Sequence, residues 1–203
     1  MAEKALKHRK RTILLASVLL EGLLIVVTLV WARKSHHVLF TSFAAKDALL
    51  GLLATIPLFL INWIFFGDHA KHIRFLKKCY EFKINYVRPL ASELDVKSAF
   101  IVSLFAGVGE ELFFRGLVQT VAGVFVASVL FSLLHFGTAV KKQVLVALIY
   151  IAIGFYFSLL LNWSGSLIVP IVAHVTYDFV ALLYMRYFFR TPFEDELNNL
   201  VWR

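Results

Sequence analysis

Long unbroken runs of apolar residues restrict this chain to one kind of fold. The first, TILLASVLLEGLLIVVTLVW, runs from Thr12 to Trp31. An α-helix crosses the hydrocarbon of a bilayer with about 20 predominantly apolar residues. Spans of that kind read at 12–32, 46–66, 97–121, 124–139, 143–161 and 166–188. Lipid offers no partners to open backbone groups, so only helices and closed barrels cross it. These runs are continuous rather than alternating, which excludes barrel strands. The expectation is an all-α, polytopic integral membrane protein with about six transmembrane helices in a single membrane domain, 1–203. Within it lie N-terminal spans in 12–66, an amphipathic connection at 67–96 and a core at 97–188. Hydrophobic residues make up 60% of the chain, above the roughly 45–50% of soluble domains.

Charge sets the expected orientation, because Lys and Arg accumulate on the cytoplasmic side. The N-terminal tail carries Lys4, Lys7, Arg9, Lys10 and Arg11, and the connection after the second span carries Lys71, Arg74, Lys77, Lys78, Lys83, Arg88 and Lys97. The intervening connection holds only Arg33, Lys34 and Lys46, and Lys141 and Lys142 fall on the basic side again. Both termini are therefore expected in the cytoplasm. The first apolar run exceeds the roughly 7–15 residues of a cleaved signal core, so it reads as a retained span. The net charge of +8 follows from these loops, and no basic patch interleaves with stacking aromatics as a nucleic-acid surface would. The single cysteine, Cys79, excludes an intrachain disulfide and a thiolate metal cluster.

Ionisable residues inside apolar spans are costly and need a partner or a purpose. VGEELFFRGL, residues 108–117, places Glu110, Glu111 and Arg115 in one span. Glu111 and Arg115 are four apart, about 40° around a helix, and can pair within the segment. Glu110 lies about 100° away and is left free, with Gly107 almost one turn before it expected to open room beside the carboxylate. FSLLHFG places His135 on the next span, with Gly123 as the natural turn between them. A helical hairpin bent there brings Glu110 and His135 to one depth, about 18–20 Å along each arm. HVTYD places His174 and Asp178 on one face of the last span, with His174 about 13 Å in, against about 16 Å for His135. Glu21 and Asn62 fall outside this pattern and read as helix-packing hydrogen bonds.

EELFFR, FSLLH and HVTYD, in that order between residues 110 and 178, resemble the EExxxR, FxxxH and HxxxN/D motifs of the CPBP intramembrane proteases. That family includes the CaaX-processing type II prenyl endopeptidases and the bacterial Abi proteins. The resemblance implies glutamic-type peptide hydrolysis in the membrane with no cofactor and no metal. Glu110 would activate water, assisted by His135. His174 and residue 178 would polarise the scissile carbonyl, with Glu111 and Arg115 supporting. Many relatives carry asparagine where this chain has Asp178, so an Asp there is expected to orient His174 or to stay protonated. The implied partners are the lipid bilayer and a peptide or protein substrate that reaches it, lipidated or bearing a C-terminal sorting tail, in a bacterial inner membrane. Two alternatives stay open on the residues alone: a metal-dependent membrane hydrolase built from the same side chains, and a non-enzymatic transporter or immunity protein.

Overall fold

The computed structural model describes residues 2–40, 44–136, 141 and 143–189, with side chains from residue 8 onward. Lys142 and the end of the expected fourth span, 137–139, lie outside the described residues.

Among the described residues the regular structure is helical throughout, without strands. The main helices are α1 (Ala2–Ser35), α2 (Ala45–Leu53), α3 (Thr55–Phe66), α4 (Lys77–Phe82), α5 (Arg88–Glu93), α6 (Val96–Glu111), α7 (Gln119–Phe136), α8 (Val144–Ser164) and α9 (Ile168–Tyr187). Among the described residues five segments are long and apolar enough to cross a membrane: His8–Ser35, Ala45–His72, Val96–Phe136, Val144–Ser164 and Ile168–Tyr187. The expected third span and the described part of the fourth, 124–136, both fall in the 41-residue Val96–Phe136.

That segment doubles back at Gly123, whose φ of 84° and ψ of 169° are non-helical and lie where only glycine sits without strain. The two arms then pair in antiparallel register. Phe114 meets Phe131 with ring centroids 5.4 Å apart, and four residues nearer each open end Glu110 meets His135. The first arm is not a uniform α-helix. Leu112–Val118 widens into a π-helical stretch immediately after the two glutamates, a distortion often found at functional sites.

The second segment breaks between α2 and α3 at Ala54. Pro57 explains this, since a proline cannot donate to the carbonyl four residues back, at Leu53, and its ring crowds it. The connection at 67–96 is mostly helical, with a short 3-10 turn at Asp68–His72, then α4, a π-helical stretch at Lys83–Val87 and α5. It has a small core of its own, where Ala70, Leu76, Tyr80 and Ala91 pack with Met185 and Phe189. Lys83 is buried there, paired with Asp68 at 3.1 Å and seated over the Phe189 ring at 4.1 Å. Burial pulls its ammonium below the usual lysine range while Asp68 opposes the shift.

Between helices, small residues let backbones approach closely, as is common in membrane bundles. A Cβ at Gly107 would lie 2.5 Å from Val175 Cγ2, so α9 fills the space that the sequence reading left open beside Glu110. At the start of α6, Asp95 caps the helix by accepting from the Ser98 N–H at 2.8 Å. The same carboxylate accepts from Lys10 of α1 at 2.8 Å, and Arg9 pairs with Glu93 at 3.3 Å. These ties fix one end of α1 against the helix that carries the glutamates.

Candidate functional site

The hairpin, α8 and α9 bring all six anticipated residues together. Glu111 and Arg115 are deepest, both 0% exposed, with the guanidinium Nη1 donating to Glu111 Oε1 at 3.1 Å. The other arm of the fork donates to the Gly154 carbonyl on α8 at 3.1 Å. The guanidinium also lies over the rings of Phe131 at 4.6 Å and Phe157 at 5.1 Å. A buried charge is tolerated when it is paired, and this one also gains from the ring faces.

Glu111 has a second partner that spacing alone did not give. His174 Nδ1 sits 2.8 Å from the same Oε1. Because a carboxylate paired with arginine can only accept, Nδ1 carries the proton and Nε2 faces away from Glu111. Nε2 lies 3.4 Å from Asp178 Oδ2, one turn along the same helix. The imidazole also stacks on Phe157, with centroids 4.9 Å apart and planes at 15°. His174 is thus fixed on both edges and one face.

Glu110 is arranged differently. Its side chain is 8% exposed, and Oε1 stands 3.7 Å from His135 Nε2, beyond a hydrogen bond. Its other oxygen, Oε2, is buried and has no hydrogen-bond partner among the described residues. Nearly all buried polar atoms are partnered, so an orphan of this kind calls for an explanation. His135 Nδ1 lies 2.9 Å from the Phe131 carbonyl. A carbonyl only accepts, so this ring too carries its proton on Nδ1 and turns a bare Nε2 toward Glu110. Phe131 is therefore the hub of the site, touching His135 at 4.7 Å and His174 at 6.1 Å between ring centroids.

Exposure falls from rim to floor: the side chains of Asp178 and His135 are 31% and 27% open, against 6% for His174. Access is thus from the His135–Asp178 side. Among the described residues no three His, Cys, Asp or Glu side chains are grouped as around a metal ion.

Two sequence readings need correction. Depth counting put Glu110 level with both imidazoles; in the structure His174 is hydrogen-bonded to Glu111, and His135 is the ring that stands against Glu110. Glu21 was set aside as a packing residue, yet it is buried with an unpartnered Oε2. It lies against the residue before Glu110: a Cβ at Gly109 would be 2.8 Å from Glu21 Oε2 and 2.9 Å from its carbonyl oxygen. Its carboxylate is within electrostatic reach of Glu110, His174 and Asp178. The signal was available, since a carboxylate in mid-span is a functional candidate by default. Asn62 does make a packing bond, to the Tyr177 hydroxyl at 2.8 Å. Phe157 and the Gly154 carbonyl carried no signal, because neither is unusual in a membrane helix.

Comparison with known proteins agrees with this geometry. Residues 92–180, which hold all six side chains, match the Type II CAAX prenyl endopeptidase Rce1-like family. The chain is also 32% identical over 100 residues to the uncharacterized protein YpbD of Bacillus subtilis (strain 168), covering 49% of this chain and 52% of that one. It therefore spans about half the length of that relative. No solved structure matches. The segment from 92 to 180, with its paired glutamates, hairpin histidine and final histidine helix, is thus similar to the type II CAAX prenyl endopeptidase Rce1-like family.

Proposed function

We propose that this protein is an intramembrane glutamic-type endopeptidase that hydrolyses a peptide bond without a metal. The observation that carries the reading is the contrast within the doublet. Glu111 accepts from both Arg115 and His174 through Oε1, whereas among the described residues Glu110 accepts no hydrogen bond and faces the bare nitrogen of His135.

The chemistry follows from those donors and acceptors. Glu110 and His135 Nε2 are both acceptors, so a water between them donates one hydrogen to each and leaves a lone pair for attack. Its oxygen bonds to the scissile carbonyl carbon as its proton passes to Glu110. The carbonyl oxygen becomes an oxyanion. His174 donates to that oxyanion from Nε2, which requires the doubly protonated ring because Nδ1–H is committed to Glu111. The carboxylates of Glu111 and Asp178, one at each ring nitrogen, compensate the positive charge. Glu110 then returns its proton to the amide nitrogen, and the C–N bond breaks. Asp178 thus serves as a counter-charge to His174, the use left to a carboxylate where an asparagine would donate.

The substrate is a peptide or protein that reaches the bilayer, lipidated or carrying a C-terminal sorting tail. The protein itself is placed in a bacterial inner membrane with both termini cytoplasmic. Vesicle-reconstituted protein mixed with membrane peptides, read by mass spectrometry, tests the reaction. Cleavage should persist under exhaustive chelation and vanish in Glu110→Gln and His135→Ala with helicity unchanged. Full activity in either variant rejects the assignment, and loss of activity on chelation rejects the metal-free mechanism.

A further inference from the structure

The oxyanion in this mechanism has few donors. Arg115 is fully enclosed at the floor of the site, with its two terminal nitrogens on Glu111 and Gly154. His174 Nδ1 is taken by Glu111. Asp178 supplies a carboxyl, not an amide N–H. A tetrahedral oxyanion in a dry site is ordinarily met by more than one preorganised donor, so His174 Nε2 alone is an incomplete set.

Tyr150 of α8 stands at the open side of the site. Its ring packs against the His135 ring at 4.9 Å, with Phe136 at 5.0 Å and Phe131 at 6.4 Å holding its other faces. Its phenol is within electrostatic reach of Glu110 and Asp178, the residues that flank the reacting position, and of Tyr177. Of the neighbouring tyrosines, Tyr156 donates to the Ala54 carbonyl at 2.6 Å, and Tyr177 is held by the Asn62 amide, from which its hydroxyl accepts at 2.8 Å. Among the described residues no group hydrogen-bonds the Tyr150 hydroxyl. A phenol whose ring is gripped on three sides and whose O–H is uncommitted is a preorganised donor, because little rotational freedom remains to be lost when it binds.

We propose that Tyr150 is a catalytic residue whose hydroxyl donates a hydrogen bond to the oxyanion opposite His174, completing the donor pair that Asp178 does not. The phenol keeps its proton throughout, and no bond to it forms or breaks. The inference rests on the peptidase reading above and deepens it.

Tyr150→Phe keeps the ring and removes only the donor, so it separates chemistry from packing. Steady-state cleavage by wild type, Tyr150→Phe, Tyr150→Ala and Glu110→Gln should be measured on the same reconstituted peptide, with thermal unfolding of each. The expected result is a kcat about 10²-fold lower in Tyr150→Phe, the usual effect of losing one oxyanion donor, with KM and unfolding midpoint unchanged. A Tyr150→Phe enzyme with full kcat, while Tyr150→Ala is impaired, reduces the residue to a packing surface for His135 and overturns the inference while the peptidase reading stands. Wild type that cuts nothing, or Glu110→Gln that cuts normally, overturns the peptidase reading and this inference together.

Discussion

Arg115 is the residue on which the largest stability effect should fall, whatever the protein's reaction proves to be. Arg115→Met preserves much of the volume but removes the charge that faces Glu111 at 3.1 Å in a pair with no exposure. Removing one member of a buried ion pair costs about 3–5 kcal/mol, because the other charge is left uncompensated. The lost bond to the Gly154 carbonyl and the lost ring contacts act in the same direction. His174, bonded to the same Glu111 oxygen, acts against them by offering the carboxylate one remaining donor. The net expectation is a loss of about 3 kcal/mol, the low end of that range. Against a total of about 5–15 kcal/mol, the variant should fold but with a clearly lowered midpoint. Glu111→Gln alone should also destabilise, since it strands the guanidinium. The double variant should cost less than the two singles summed, with a coupling of about 2 kcal/mol or more, because neither charge is then stranded. Equilibrium unfolding in mixed micelles, followed by tryptophan fluorescence, measures all four corners of the cycle. An Arg115→Met midpoint indistinguishable from wild type, or simple additivity, would refute the description of this pair.

Other outcomes follow from individual contacts. Gly109→Ala should destabilise and should lower activity as well, because the new methyl would lie 2.9 Å from the Glu21 carbonyl oxygen and push α1 off the helix that bears Glu110. Unfolding and cleavage assays check the two effects separately. Hydrogen bonds from Lys10 and then Ser98 hold the Asp95 carboxyl well below the usual carboxylate range. A depressed pKa contributes stability above the unfolded value near 3.9 that is lost as pH falls through the folded value. Asp95→Asn, which keeps a capping side chain, should therefore be less stable than wild type at pH 7 by under about 1 kcal/mol, given the exposure of this pair. That gap should close as pH is lowered below 4, as unfolding midpoints across pH will show. Cys79 is fully buried, and burial pushes its thiol up to about 11. It should resist alkylation in the folded protein and react on unfolding, as mass spectrometry would record.

What could be read in advance was whatever depends on period, length and cost of burial. The helical class followed from apolar runs that have to satisfy their own backbones, and the hairpin followed from counting outward from Gly123 to Glu110 and His135. The pairing of Glu111 with Arg115 followed from a spacing of four. Rotation between helices was not legible, and there the reading failed. Which glutamate His174 would meet depends on how α9 is turned against α6, and that is set by Val175 lodging on Gly107, a contact no pattern along one strand of sequence encodes. The π-helical stretch at Leu112–Val118 also shifts every later side chain around the helix, so angles taken from an ideal 3.6-residue turn lose their meaning beyond Glu111. Glu21 was misjudged for a different reason: its depth in α1 was known, but the crossing that brings it to Gly109 was not.

The hairpin turn permits a sharper test than depth counting, because two of the described glycines have positive φ for different reasons. Gly165 ends α8 with φ 67° and ψ 12°, a left-handed cap. Gly123 has a similar φ of 84° but a ψ of 169°. The first conformation is open to asparagine, whose side chain tolerates the left-handed region. The second lies in a region essentially restricted to glycine, with a cost of about 1–3 kcal/mol for another residue. Neither position has any atom within 4 Å of an added Cβ, so packing cannot confuse the comparison. Gly165→Asn should therefore be nearly neutral, while Gly123→Asn should be as damaging as Gly123→Ala. The damage at 123 should also reach the site, since the turn joins the two arms on which Glu110 opposes His135. Equal tolerance of asparagine at both positions would mean that the arms are not joined by the turn described, and the alignment of the two residues would lose its structural cause.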